Sequence, residues 1–155
     1  RDLHSFPTRR SSDLLHACDI ATDLALGTAI RAKAKYIACV PCCHKELLDQ
    51  YTMPGLEPLT KFGVFKARFN DVLTDSMRAL KLEAEGYKVS VVEYISPLDT
   101  PKNLLIRATR TGKVNNRAKA EYDAVRRTLG TTSELDRRCA ELDNEFFVTD
   151  EDLMG

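Results

Sequence analysis

The chain of 155 residues lacks several features that mark particular classes of protein. No apolar run approaches the ~20 residues of a transmembrane helix, which argues against an integral membrane protein. There is no net charge, because 23 basic residues balance 23 acidic ones, so a nucleic acid would have to be bound by a local patch. The five cysteines form no regular framework and two are adjacent, which favours a reducing, cytoplasmic location. The 43% of hydrophobic residues is nevertheless enough for the core of one folded domain.

The first fourteen residues differ from the rest of the chain. They lack a starting methionine and an apolar run, so they do not form a signal peptide. The sequence SFPTRRSSDL at 5–14 resembles the translation of a sequencing adapter fused to an assembled gene. We therefore expect a non-native leader at 1–14, a partial domain at 15–142 whose upstream part is missing, and an acidic, frayed tail at 143–155. The alternative for 1–14 is a disordered native N-terminus.

Apolar runs and helical periods alternate along the remaining chain. Buried strands are predicted at 14–18 and 36–40, joined by a helix at 20–34 that Asp19 is placed to cap. The later elements are a short helix at 45–51, a long helix at 61–85, strands at 88–95 and 104–109, and exposed helices at 113–129 and 133–142. Two buried strands joined by a helix favour parallel pairing, whereas the short loop at 96–103 predicts an antiparallel pair. The sequence therefore predicts an α/β fold.

Helical spacing also predicts which side chains are buried. In the first long helix the predicted apolar face consists of Ile20, Leu24, Ala25 and Ala29. In the second it consists of Phe65, Phe69, Val72, Leu73, Met77, Leu80 and Ala84, and Gly86 is the expected stop.

Polar and thiol groups follow both predicted parallel strands. The first set is His16, Cys18, Asp19, Thr22 and Asp23, and the second is Pro41, Cys42, Cys43 and His44. Because ligands bind outside the carboxyl ends of strands in open α/β sheets, we expect both sets to meet around one crevice. Alternatively, Asp19 and Thr22 only cap the helix and His16 is a core residue. Adjacent cysteines alone do not form a tetrahedral zinc site, so no metal site is predicted.

Three segments resemble a family of class I S-adenosylmethionine-dependent methyltransferases. They are HACDIATD at 16–23, matching the pattern HxCxxxTD, PCCH at 41–44, matching PCC[HQ], and the long segment at 65–108. The resemblance implies the C-terminal half of a Rossmann-like, seven-stranded sheet that ends in an antiparallel strand pair, with C-terminal helices. It also implies S-adenosyl-L-methionine as cofactor, bound near Cys18, Asp19, Thr22 and Asp23.

The resemblance further implies an acceptor pocket. Its expected residues are Pro41, Cys42, Cys43 and His44. Lys102 and Asn103, from the loop before the last strand, are further candidates for binding the acceptor, and the alternative for this loop is a turn without a function. Asp19 and His16 are the first candidates for a catalytic base, and His44 is the third. The chain departs from the family in one respect, because it has seven glycines but no GxG for a cofactor loop. We therefore expect this chain to be inactive by itself.

The methyl acceptor is left open between a small molecule and RNA. A basic face that could contact RNA phosphates comprises Arg107, Arg110, Lys113, Arg117, Lys119, Arg126 and Arg127. A solvated helix surface is the alternative for these residues. A second class of function is a non-catalytic α/β binding module, in which His16, Cys18, Cys42, Cys43 and His44 hold a metal. The oligomeric state is not predicted.

Overall fold

The computed structural model describes the backbone of residues 11–15, 19–100 and 102–145, and the side chains of 19–100 and 102–141. The elements are β1 (Ser11–Leu15), α1 (Ile20–Arg31), β2 (Tyr36–Val40), α2 (Gly63–Ala84), β3 (Tyr87–Glu93), β4 (Leu104–Arg110), α3 (Asn116–Leu129) and α4 (Glu134–Glu145). A short 3₁₀ turn, Glu57–Thr60, precedes α2. The predicted α/β class is confirmed.

The four strands form one mixed sheet in the order β1-β2-β4-β3. Strands β1 and β2 are parallel and are connected by α1, as predicted. Strands β3 and β4 are antiparallel, which confirms the second predicted pairing. β4 also pairs antiparallel with β2, so it lies between β2 and β3. The sequence did not predict this insertion.

Strand β1 lies three residues earlier than predicted. Its ladder with β2 runs from Ser11 opposite Tyr36 to Leu15 opposite Val40. Pro41 follows β2 and has no amide hydrogen to continue a ladder, so both strands end there. Residues 16–18, the rest of the predicted strand, lie outside the described residues. Part of β1 falls within the segment predicted as a leader, and the origin of that segment stays a prediction.

Helix α1 begins at Ile20 as predicted, but the side chain of Asp19 does not cap it. Only the carbonyl oxygen of Asp19 joins the helix, accepting from the amide of Thr22 at 2.9 Å. The helix ends at Arg31 rather than at residue 34, because Lys33 adopts a left-handed φ of 52°.

The predicted apolar face of α1 is only partly correct. Ile20 is exposed, and the buried residues of this helix are Thr22, Asp23, Leu26, Gly27, Ala29 and Ile30. This wider face arises because α1 packs on α4 as well as on the sheet. At the contact, a Cβ on Gly27 would lie 2.8 Å from Cβ of Arg138, so the two helices approach closely here.

Helix α2 buries only part of the predicted apolar face. Met77 and Ala84 are buried and Leu73 and Leu80 are half-buried, but Phe65, Phe69 and Val72 are exposed. The 22-residue helix is about 33 Å long, whereas a seven-residue strand measures about 23 Å. Its first turns therefore have less of the sheet to pack against. Gly86 follows the helix with a φ of 86°, in agreement with the predicted stop.

The remaining elements correct the prediction in smaller ways. The segment 45–51 forms turns instead of a helix, and a single short segment of this length nucleates a helix poorly. The side chain of Asn115 caps α3 by accepting from the amide of Ala118 at 3.0 Å. Helix α4 is less exposed than expected, because Leu135 and Cys139 are buried in the core. It also continues to Glu145, into the predicted tail, whose residues 146–155 lie outside the described residues.

The main core lies on one face of the sheet. It joins alternating strand residues to residues of α1, α2 and α4. Its members are Leu26, Ala29, Ile30, Ala34, Ile37, Cys39, Leu82, Tyr87, Ile106, Ala108, Leu135 and Cys139. A second cluster, formed by Leu47, Met77, Ala84, Tyr122 and Leu129, packs α3 against α2. On the opposite face of the sheet Lys88, Ser90, Arg107 and Thr109 are exposed.

Candidate functional site

The segments that follow β1 and β2 lie side by side. Oδ2 of Asp19 accepts hydrogen bonds from the backbone amides of Lys45 at 3.0 Å and Glu46 at 3.1 Å. The backbone of Asp19 has φ 39° and ψ −111°, a region that non-glycine residues rarely adopt. Residues held in such conformations persist when their surroundings fix them, and they cluster at functional sites.

His44, which follows β2, has a buried imidazole ring. Its side chain is 1% exposed, and Nε2 lies 2.8 Å from Oδ1 of Asp75 on α2. Its carbonyl oxygen accepts from the side-chain amide of Asn70, also on α2. Helix α2 therefore holds both the ring and the backbone of the residue that follows β2.

The other ring nitrogen of His44 faces Lys102 and Asp71. Nζ of Lys102 lies 2.9 Å from Nδ1 of His44, and it also donates to Oδ2 of Asp71 at 2.5 Å. An ammonium group only donates, so Nδ1 is the acceptor and Nε2 carries the proton that is donated to Asp75. In a neutral ring, these partners place the proton on Nε2 and the lone pair on Nδ1.

Arg78 connects this histidine to α1. Its guanidinium donates through Nε to Asp23 at 2.7 Å, through Nη1 to Asp75 at 3.3 Å, and through Nη2 to the carbonyl of Asp19 at 3.0 Å. Burial opposes the charge of Arg78, but Asp23 and Asp75 outweigh it and raise its pKa. The site is therefore a continuous chain of buried, charged groups that links α1, α2 and the end of β2.

A small cavity of about 80 Å³ borders His44. It is lined by Pro41, His44, Asp71, Val72, Asp75, Lys102 and Leu104. Two carboxylates, one ammonium group and one imidazole thus meet beside apolar side chains. Such a cavity suits a small group with a dissociable proton, for example a hydroxyl or an amine.

Three of the predicted site residues have side chains directed into the protein. Thr22 and Asp23 are buried, and Oδ2 of Asp23 also accepts from the amide of Leu135 at 3.3 Å. Asn103 is buried as well, because its side chain donates to the carbonyl of Ile95 at 2.9 Å and closes the loop before β4. His16 and Cys18 lie outside the described residues.

The cysteines of this region differ in their surroundings. Cys42 and Cys43 are half-buried, with their Sγ atoms 3.7 Å apart. Cys39 and Cys42 have the C-x-x-C spacing, which the sequence interpretation missed. Cys39 lies in the core, however, where burial raises the pKa of its thiol to about 12. In the described part of the chain, no three His, Cys, Asp or Glu side chains are grouped so as to hold a metal ion.

Sequence reasoning missed every residue that α2 contributes. Asn70, Asp71, Asp75 and Arg78 lie outside the predicted apolar face and were not named as site residues. The available signal was their spacing, since residues 71, 75 and 78 recur at helical intervals on one face.

Among the described helices, none is long and apolar enough to cross a membrane.

Comparisons with known proteins give one family match and several distant relatives. A family model described as a methyltransferase domain matches residues 9–50. Proteins named "Glutathione S-transferase C-terminal domain-containing protein" from Homo sapiens, Macaca fascicularis and Mus musculus are 28% identical to this chain. The alignment covers 59% of this chain, which spans only 18% of the length of these relatives. No solved structure matches. The family match supports a methyltransferase domain in the region that holds β1, α1, β2 and His44.

Proposed function

We propose that this chain forms the acceptor side of an S-adenosylmethionine-dependent methyltransferase domain, in which His44 takes up the proton of the methyl acceptor. The observation that carries the proposal is the buried histidine, which is oriented by Asp75 and borders a cavity between the carboxyl end of β2, α2 and the start of β4. The family match over residues 9–50 supports the chemistry. The sheet order, with an antiparallel strand pair at one end, agrees with the C-terminal half of the seven-stranded fold.

The described residues do not by themselves fit the cofactor. Thr22 and Asp23 are buried, and Asp23 is occupied by Arg78 and by the amide of Leu135. One carboxylate oxygen of Asp19 is occupied by two backbone amides. The chain also contains no GxG sequence. We therefore assign His44 and the other residues that line its cavity to the binding of the acceptor.

The hydrogen bonds around His44 define how it would accept a proton. In the neutral ring, the lone pair of Nδ1 is covered by Lys102, which is itself drawn to Asp71. An acceptor hydroxyl or amine in the cavity competes with Lys102 for this lone pair. Once Nδ1 is protonated, the imidazolium lies between Asp71 at 3.3 Å and Asp75 at 2.8 Å. Each ring N–H then faces a carboxylate oxygen that can accept its hydrogen bond.

Of the two described candidates, His44 rather than Asp19 is the expected base, and His16 lies outside the described residues. Asp19 anchors the backbone of Lys45 and Glu46, and its nearest cation is Arg78, with Nη2 3.8 Å from Oδ1. A carboxylate used in this way is a positioning group for the segment after β2. Methyl transfer depends mainly on the position of the acceptor, and a base adds to the rate where the acceptor must lose a proton.

The test is methyl transfer by the complete gene product that contains this chain. Radiolabelled S-adenosylmethionine is supplied with unfractionated transfer RNA or with total protein as separate acceptor pools. Removal of a general base costs roughly 10²- to 10⁴-fold in rate, so His44→Gln is expected to lower transfer at least 100-fold. Binding of S-adenosylmethionine, measured by calorimetry, is expected to change less than twofold.

A matched control variant tests whether the loss of rate is specific to His44. Lys45→Gln changes an exposed neighbour of His44 and is expected to retain the full rate. Full activity in His44→Gln would show that His44 is not the base that accepts the proton. If the gene product binds no S-adenosylmethionine at all, the methyltransferase proposal is wrong and a binding module becomes the better interpretation.

A further inference from the structure

Two adjoining concavities lie away from His44, beside the end of α2 and the start of α3. The first has a volume of about 260 Å³, and its charged lining residues are Lys81, Glu85, Arg110, Lys113 and Lys119. The second, of about 300 Å³, shares Lys81 and Lys119 with the first and continues along α3 to α4. Its other charged lining residues are Asp123, Arg126, Asp136 and Arg137. We call this continuous surface the basic groove.

The basic groove concentrates positive charge on a chain that has none overall. Six cationic side chains line it, against three carboxylates. All three carboxylates have partners: Glu85 pairs with Lys81 at 2.7 Å, Asp123 lies 4.0 Å from Arg126, and Asp136 accepts from the hydroxyl of Tyr122 at 2.7 Å. Arg137 pairs with two carboxylates outside the lining, Glu46 at 2.5 Å and Glu134 at 2.8 Å. Among the described residues, Arg110, Lys113 and Lys119 have no carboxylate within ion-pair distance, so their positive charges remain available to bind an anion.

The fold holds the turns of this groove in place. The hydroxyl of Thr111 donates to the carbonyl of Gly86 at 2.8 Å, and the amide of Thr111 donates to the same oxygen at 3.0 Å. These bonds join the turn after β4 to the turn after α2. A Cβ on Gly86 would lie only 2.7 Å from the carbonyl oxygen of Lys113, so the turns approach as closely as their backbones allow.

The length of the groove favours a chain of anionic groups over a single small anion. Its cations come from α2, from the end of β4, from α3 and from α4. A single phosphate has about the size of one of the two concavities or less, whereas the charges extend through both. A nucleic-acid strand presents one phosphate per nucleotide and meets such a row of cations with successive groups.

The residues of the basic face predicted from the sequence do not all lie on one surface. Arg110, Lys113, Lys119 and Arg126 line the groove. Arg107 is instead on the open face of the sheet, where its Nε donates to Ser90 at 3.3 Å. Lys81 and Arg137 belong to the groove but lie outside the segment in which the basic residues were sought.

From this arrangement we infer that the basic groove binds successive phosphate groups of a single nucleic-acid strand. The inference concerns binding alone and does not depend on methyl transfer. Backbone phosphates are recognised by charge, so the groove accepts RNA and DNA of any sequence. Cations that contact phosphates release counterions, and binding therefore weakens steeply as salt is added.

Fluorescence anisotropy with a labelled twelve-nucleotide RNA and the same DNA tests the inference on this chain. With about three phosphate contacts, the logarithm of the affinity is expected to fall with the logarithm of salt with a slope of roughly −2. The double variant Lys113→Glu, Lys119→Glu reverses two exposed charges of the groove. We expect it to bind at least tenfold more weakly in 0.1 M salt, with a slope shallower by about 1.4 because two of the three contacts are lost.

The matched control is Lys61→Glu, Arg68→Glu, which makes the same change of charge at the other end of α2. It is expected to bind within twofold of the original chain, and circular dichroism confirms that both variants fold. If the control variant weakens binding equally, the effect is due to the overall charge of the chain and the inference is overturned. Absence of binding to either oligonucleotide at low salt would also overturn it. Binding of inorganic phosphate alone would mean a small-anion site and not a strand site.

Discussion

Replacement of Arg78 by methionine is expected to destabilise the protein more than any single surface change. The side chain is 3% exposed and donates to Asp23, Asp75 and the carbonyl of Asp19. Methionine fills a similar volume but leaves two buried carboxylates without their cation. Removing one partner from a buried ion pair costs about 3–5 kcal/mol, chiefly because the remaining charge stays desolvated. We expect this loss in the free energy of unfolding.

Urea denaturation followed by circular dichroism measures the loss, and thermal melting provides a second reading. For a domain of this size, 1 kcal/mol lowers Tm by about 2–4 °C, so the expected decrease is on the order of 10 °C. Arg138→Met is the matched control, because Arg138 is 42% exposed and pairs with Glu134 and Glu141 on the surface. Such pairs contribute about 0–1 kcal/mol.

The double variant Arg78→Met, Asp23→Asn separates loss of packing from loss of charge. Removal of one orphaned carboxylate is expected to restore part of the stability. If Arg78→Met does not fold, Arg78→Lys keeps the charge but loses the fixed geometry of the guanidinium, and an intermediate stability is expected. Equal stability of Arg78→Met and Arg138→Met would refute the view that the buried network supports the site.

Two further predictions concern the core and a turn. Because burial raises the pKa of Cys39 from 9.0 to about 12, its thiolate is about a thousandfold scarcer at pH 8. In the native protein, iodoacetamide should therefore leave Cys39 unmodified while it alkylates the half-buried thiols nearby. Mass spectrometry of a digest measures the labelling of each cysteine. Prompt labelling of Cys39 would contradict its burial. The same shift stabilises the native state below pH 9, and this contribution is lost as the pH rises towards 12. Gly86→Ala places a Cβ at positive φ against the carbonyl of Lys113 and should cost about 2 kcal/mol or more in urea denaturation. Gly63→Ala, where nothing lies within 4 Å, should have little effect, so similar losses in both variants would refute the argument.

Local signals were sufficient to predict the order of the elements. Pro41 follows the last residue of β2, and Gly86 follows α2 at a positive φ. Both residue types are local signals for the end of a strand or helix. The parallel pairing of β1 with β2 and the antiparallel pairing of β3 with β4 were also predicted. These features depend on residues close in sequence or on the length of the connection between two strands.

The site was predictable only in part. His44 was identified because it follows a buried strand, where α/β sheets bind ligands. Its partners on α2 were not, because helical spacing indicates which residues share a face but not what that face contacts. For the same reason Phe65, Phe69 and Val72 were expected in the core and are exposed.

By itself, the sequence determined an α/β chain with polar groups after its first two strands. Tertiary structure decided that β4 lies between β2 and β3, and that Arg78 joins Asp23 to Asp75. The physical reason is the distance along the chain over which these contacts act. Asp23 and Arg78 are 55 residues apart, and no local preference indicates that a buried arginine pairs with a carboxylate so remote in sequence. Only packing of α1 and α2 on the same face of the sheet brings the two charges together.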